Sequence, residues 1–116
     1  NNFNNITDQL NFNNIPNKYF LSQNYPNPFN PITTIQFGIP NVSNHGYLQL
    51  RILNINGSVI NTLINQSYSP GLYSTNWNGI DKNGNKVSTG IYFSHMTYSI
   101  GNRIEYQNVK KLILLK

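Results

Sequence analysis

The chain has 116 residues, 38% of them hydrophobic and 9% charged, with no cysteine and a formal net charge of +5. Its three acids, Asp8, Asp81 and Glu105, are too few for paired-carboxylate hydrolysis, a carboxylate-bound metal or a Ser-His-Asp centre. Zero cysteine excludes a disulfide scaffold, thiolate zinc and thiol redox chemistry, so the composition predicts a non-enzyme with no metal and no cofactor.

Asparagine stands at 23 positions and alanine at none. Residues 1–18, NNFNNITDQLNFNNIPNK, hold eight of those asparagines and few apolar groups. Asn side chains compete for backbone hydrogen bonds and favour coil, which predicts an Asn-rich extension or linker over 1–18 and a folded domain over 19–116. Against a plain linker, Leu10 and Phe12 alternate as a strand would. Ile6, Leu10 and Phe12 are therefore candidates for a strand donated to a neighbour.

From Tyr19 the pattern becomes short strands separated by turn residues. Tyr19 to Gln23 leads into Asn24-Tyr25-Pro26-Asn27-Pro28-Phe29-Asn30-Pro31, where three prolines forbid helix and remove ladder donors. The expectation for this stretch is a stiff rod crossing between sheets, with Tyr25 and Phe29 either packed on the core edge or presented for docking. Ile32 to Ile39 alternates, with Ile35, Phe37 and Ile39 on one face. Tyr47 to Ile55 alternates again, with Leu48, Leu50 and Ile52 inward. Asn56-Gly57 predicts a type I′ hairpin turn, in which both central residues take positive φ. Ser58 to Ile64 returns, Pro70-Gly71 turns, and Leu72 to Trp77 sets Tyr73, Thr75 and Trp77 on one face. Gly90 to Tyr98 and Arg103 to Leu115 complete the set, the latter as one strand or a pair. Seven or eight short strands with no credible helix predict an all-β, antiparallel immunoglobulin-like sandwich of about seven strands. Its core is expected around Phe37, Leu50, Ile52, Tyr73, Trp77 and Tyr92.

Chemistry-bearing motifs are few. Asp81-Lys82-Asn83-Gly84 opens like a calcium loop, but Tyr92 stands where the bidentate Glu belongs, so an Asx-stabilised turn is expected. His45 and His95 have no second ligand nearby in sequence. Lysine, many asparagines and a carboxylate also permit an internal Lys–Asn isopeptide bond, with Lys110 or Lys111 and Glu105 as the candidates. Basic residues are scattered, with a small cluster at Lys110, Lys111 and Lys116, so no nucleic acid is expected as a partner. No stretch approaches the roughly 18 apolar residues of a transmembrane helix.

The ordered landmarks resemble the type A C-terminal sorting domain of proteins exported by the type IX secretion system of Gram-negative bacteria. The resemblance runs through Leu21-Ser22-Gln23-Asn24-Tyr25-Pro26-Asn27-Pro28-Phe29-Asn30-Pro31, Thr33-Thr34-Ile35-Gln36-Phe37 and Asn56-Gly57-Ser58-Val59. It continues in Gly71-Leu72-Tyr73, Trp77-Asn78-Gly79, Gly90-Ile91-Tyr92-Phe93 and Lys110-Lys111-Leu112-Ile113-Leu114-Leu115-Lys116. The immunoglobulin-like domain of flagellar hook-capping proteins is a weaker match. The resemblance implies a secreted or cell-surface sandwich, read as an export address by the outer-membrane translocon and processed by a surface protease. It places recognition on Pro26, Asn27, Pro28 and Phe29, and on Lys110, Lys111, Leu112, Leu114 and Lys116. Asn78 departs from the Asp common in the family, which removes any salt bridge made there. An address is expected to follow a cargo, and only eighteen Asn-rich residues precede the domain here. That motivates a second reading, a homo-oligomeric subunit of an extracellular filament in which residues 1–18 are donated as a strand; a glycan-binding or other adhesion module is the third.

Overall fold

The computed structural model describes residues 15–41 and 46–116. Seven strands follow one another along the chain: β1 (Phe20–Leu21), β2 (Thr33–Ile39), β3 (Gly46–Leu53), β4 (Val59–Tyr68), β5 (Gly71–Trp77), β6 (Gly90–Ile100) and β7 (Arg103–Leu114). They form two antiparallel sheets, ordered β1-β2-β5 and β4-β3-β6-β7. The fold is an immunoglobulin-like β-sandwich, and the described residues contain no helix. The last stretch is one continuous strand, paired with β6 along its length apart from a register shift at Tyr98/Ser99.

The period-2 pattern decides which faces meet. Successive side chains on a strand point to opposite sides of its sheet. Ile35, Phe37 and Ile39 of β2 and Leu48, Leu50 and Ile52 of β3 are fully buried between the sheets. Trp77, Met96, Tyr98, Leu112 and Leu114 join the same cluster, with Tyr92 at its margin. Tyr73 sits half-buried at the edge of β5, stacked on Phe37 at 5.5 Å and edge-on to Tyr68 at 4.8 Å.

One turn differs from its expectation. Asn56 has negative φ, and Gly57 alone takes the left-handed region, at +82°. Gly57 N–H donates to Asn54 carbonyl oxygen at 2.9 Å, so the turn runs from Asn54 through Ile55 and Asn56, and Gly57 supplies the reversal of hand. The cause is Asn54, whose Oδ1 accepts from the N–H groups of Asn56 (2.9 Å) and Ser58 (3.0 Å). That capped loop is one residue longer than a type I′ turn.

Tyr98 ties the far end of the sandwich together. Its buried hydroxyl accepts from Gly46 N–H at 2.6 Å and donates to Tyr68 carbonyl oxygen at 2.8 Å. A side chain at Gly46 would run into Ser99 oxygen and the Tyr98 ring, so only glycine fits this approach. Tyr98→Phe leaves a buried donor and a buried acceptor without their partner. Denaturant titration is expected to show a loss of about 1–3 kcal/mol.

Tyr19 stacks on Tyr106 at 5.2 Å and leans on Tyr98 at 5.5 Å, and its hydroxyl is buried without a partner. Burial raises the Tyr19 hydroxyl above the ordinary tyrosine value, and Glu105 and Tyr98 add to it; burial, then Tyr68 and Tyr98, raises Tyr73. The folded state thus holds these protons more tightly than the unfolded chain does. Their contribution is complete below the ordinary value of about 10 and is lost as the pH climbs through the raised values. The melting temperature is expected to hold steady to about pH 9 and to fall above about pH 10, less steeply in Tyr19→Phe.

Candidate functional site

Between β1 and β2 the proline-rich segment leaves the first sheet, touches the second, and returns. Tyr25 makes a two-way backbone bridge to Thr34 of β2, both bonds 2.9 Å. Four residues on, Phe29 N–H donates to Ile113 carbonyl oxygen and Leu115 N–H donates to Phe29 carbonyl oxygen, each at 2.9 Å. Asn27 Oδ1 accepts from Ile113 N–H at 3.0 Å, and Gln23 Nε2 donates to Lys111 carbonyl oxygen at 2.5 Å. The segment therefore fastens onto the last strand and closes that side of the sandwich.

It does so as a series of bends rather than a rod. Asn24, 2% exposed, donates to Thr33 Oγ1 (2.9 Å) and to Pro26 carbonyl oxygen (3.1 Å). Buried Thr33 donates to the same Pro26 oxygen at 2.8 Å. Two buried polar side chains converge on one carbonyl and draw the two ends of the segment together. Buried polar groups must be hydrogen-bonded, and these satisfy one another.

The two rings of the segment part company. Phe29 is 2% exposed and packs against Trp77 at 5.6 Å, and Trp77 in turn meets Tyr92 edge-on at 5.3 Å. Tyr25 is 80% exposed, so it does not pack on the core edge. Pro26, Asn27 and Pro28 lie exposed between them.

On β7, Leu112 and Leu114 point inward and are fully buried, and Lys110 shares their side of the strand, half-buried. Lys111 is on the opposite side and exposed, and Lys116 is exposed beyond the strand end. Half-buried Lys110 thus stands apart from exposed Lys111 and Lys116. Among the resemblance-derived recognition residues, Pro26, Asn27, Pro28, Lys111 and Lys116 are open to a partner; Phe29, Leu112 and Leu114 hold them in place from beneath.

A cleft of about 470 Å³ opens beside this junction. Leu114 and Gly79 form its buried floor, Ile32 and Ile80 its apolar walls, and Lys86 and Lys116 flank it. Ile32 is 54% exposed. Asn78, where the sorting-domain pattern has Asp, also lines it. Gln23, Asn24 and Thr33 fall within the ordered landmarks but, like Ile32, Ile80 and Lys86, were given no role from sequence.

The other candidates resolve simply. Asp81 Oδ1 accepts from the N–H groups of Asn83 (2.9 Å) and Asn85 (3.0 Å), a turn stabilised by its own side chain. Glu105 pairs with Arg103 at 2.8 Å. Lys110 and Lys111 stand five and six residues further along the same strand, about 17–20 Å away, too far for Glu105 to serve an isopeptide bond at either lysine. His95 lies on the outer face of the second sheet, between Arg51 Nη2 (3.1 Å) and Gln107 Oε1 (3.4 Å). Because Arg51 can only donate, His95 Nδ1 accepts and serves a cross-strand row. The described residues contain no group of three metal-ligating side chains, and no helix long and apolar enough to cross a membrane. His45 and the strand-donation residues Ile6, Leu10 and Phe12 lie outside the described residues.

Comparison with known proteins bears on the family and the fold. Residues 32–102 match the family model of the FlgD Ig-like domain. No curated protein matches significantly. Among solved structures, dimeric latent PorU from Porphyromonas gingivalis is similar with a TM-score of 0.61 and 14% identity, covering 84% of this chain and 9% of that one. FlgD from P. aeruginosa is similar with a TM-score of 0.55 and 23% identity, covering 70% of this chain and 60% of that one. The chain spans less than two thirds of either protein, and identities this low speak to the fold alone.

Proposed function

The chain belongs to the FlgD Ig-like domain family, and we propose, from its resemblance to type IX sorting domains, that it works as a non-enzymatic export and attachment module at the bacterial surface. It is read by an outer-membrane translocon of the type IX kind and handled by a surface processing protease. The supporting observation is the junction between the proline-rich segment and the last strand. Residues 26–29 and 111–115, separated by more than eighty positions in sequence, are joined by three hydrogen bonds into one surface. A receptor touching Pro26, Asn27, Pro28, Lys111 and Lys116 thereby reads both elements at once, and only when the domain is folded.

The roles within the surface divide by burial. Phe29, Leu112 and Leu114 fix the geometry from the core, and the exposed prolines and lysines supply contact and charge. The apolar cleft with Lys86 and Lys116 at its rim suits an acidic partner segment carrying one aliphatic or aromatic anchor.

The test is a fusion of the whole chain to the C-terminus of a periplasmic reporter, in a host that carries the type IX translocon. The reporter is expected at the cell surface or in the medium. Retention in the periplasm at wild-type expression and folding would refute the export reading.

A further inference from the structure

Four strand edges bound the two sheets: β1 and β5 in the first, β4 and β7 in the second. An edge strand offers a row of unpaired N–H and C=O groups, and natural sheets guard it by shortness, bulges, charge, proline or cover. Three of the four edges here are guarded. β1 is two residues long. β4 pairs with β3 through two register shifts, which twist its outer edge away from a flat partner. β7 carries Arg103, Glu105, Lys110 and Lys111, and Asn27 and Phe29 cover its last residues.

β5 has none of these devices. Its sequence GLYSTNW contains no charge and no proline, and all seven residues pair one-to-one with β2 without a bulge. Its other side is unpaired among the described residues. Leu72 on this strand is 53% exposed.

We propose that the open edge of β5 is a self-association surface on which a second copy of this chain adds its own β5, antiparallel, to make a continuous six-stranded sheet. The strand is complementary to itself in that register. Ser74, its middle residue, lies on the two-fold axis facing its own counterpart, with Tyr73 opposite the partner's Thr75 and Leu72 opposite the partner's Asn76. Tyr73 and Thr75 extend the inward face, Leu72 gains a neighbour, and no like charges meet. The surface lies on the edge of the first sheet away from β1. It needs nothing from residues 1–18, which separates it from strand donation.

Sedimentation velocity of the full chain over a hundredfold concentration range tests this. A reversible species of twice the chain mass is expected. Ser74→Lys, at an exposed position, sets two lysines face to face and should weaken the dimer by about tenfold or more, with the melting temperature unchanged at dilutions where both chains are monomeric. Mixing Ser74→Lys with Ser74→Glu should restore a dimer containing one of each. The paired change Leu10→Lys and Phe12→Lys should leave association intact. A chain monomeric throughout, a Ser74→Lys dimer as tight as wild type, or loss of association in the Leu10/Phe12 variant alone would each overturn the proposal.

Discussion

Replacing Phe29 with alanine is expected to lower the unfolding free energy by about 3–5 kcal/mol, the range for removing a fully buried aromatic side chain. Phe29 is 2% exposed, lies against Trp77, and sends both its backbone groups to the last strand. Its removal opens a cavity where the proline-rich segment meets the core, and the backbone bonds to Ile113 and Leu115 lose the anchor that positions them. Asn27→Ala is the control, because it deletes one exposed side-chain bond to Ile113 and should cost about 1 kcal/mol or less. Denaturant unfolding of both variants measures the difference. A cost below 1 kcal/mol for Phe29→Ala would mean that the segment is not fastened through its ring.

Deleting residues 112–116 is expected to leave the chain unfolded or molten at 25 °C. The deletion removes Leu112 and Leu114, both fully buried, at about 2–5 kcal/mol each. It also removes the pairing of Ile113 and Leu115 with the proline-rich segment. A domain of this size has a total stability of about 5–15 kcal/mol, so the loss takes most of it. Near-UV circular dichroism and exchange protection report the outcome; a truncated chain with native near-UV signal contradicts it. The practical consequence concerns the export reading. Loss of export on truncation cannot separate recognition from folding, whereas charge changes at exposed Lys111 and Lys116 can.

The sandwich was legible because burial imposes a period of two on its strands. Ile35, Phe37 and Ile39, then Leu48, Leu50 and Ile52, announce their inward faces without further information. The hairpin was misread because Asn56-Gly57 is a turn signal, while the turn type was set by Asn54, whose side chain captures two N–H groups. The junction was half legible. Its two elements stood out by proline and lysine content, but their meeting depends on register accumulated over the intervening strands. Asn24 and Thr33 stood inside the ordered landmarks, but their role was invisible for another reason. One asparagine among 23 carries no signal until its neighbours in space are known. The split of the lysines could have been found, because alternation with Leu112 and Leu114 already sets Lys110 inward and Lys111 outward.

The central claim is that the exposed part of this junction is read by an export machinery while its buried part only holds it in shape. The most direct measurement is the ratio of surface to periplasmic reporter for the wild-type fusion and for a Lys111→Glu, Lys116→Glu fusion, with melting temperatures recorded alongside. The claim predicts a surface-dominated wild type and a periplasm-dominated double variant of unchanged melting temperature. A double variant exported as well as wild type, or a wild type that never leaves the periplasm, would contradict it.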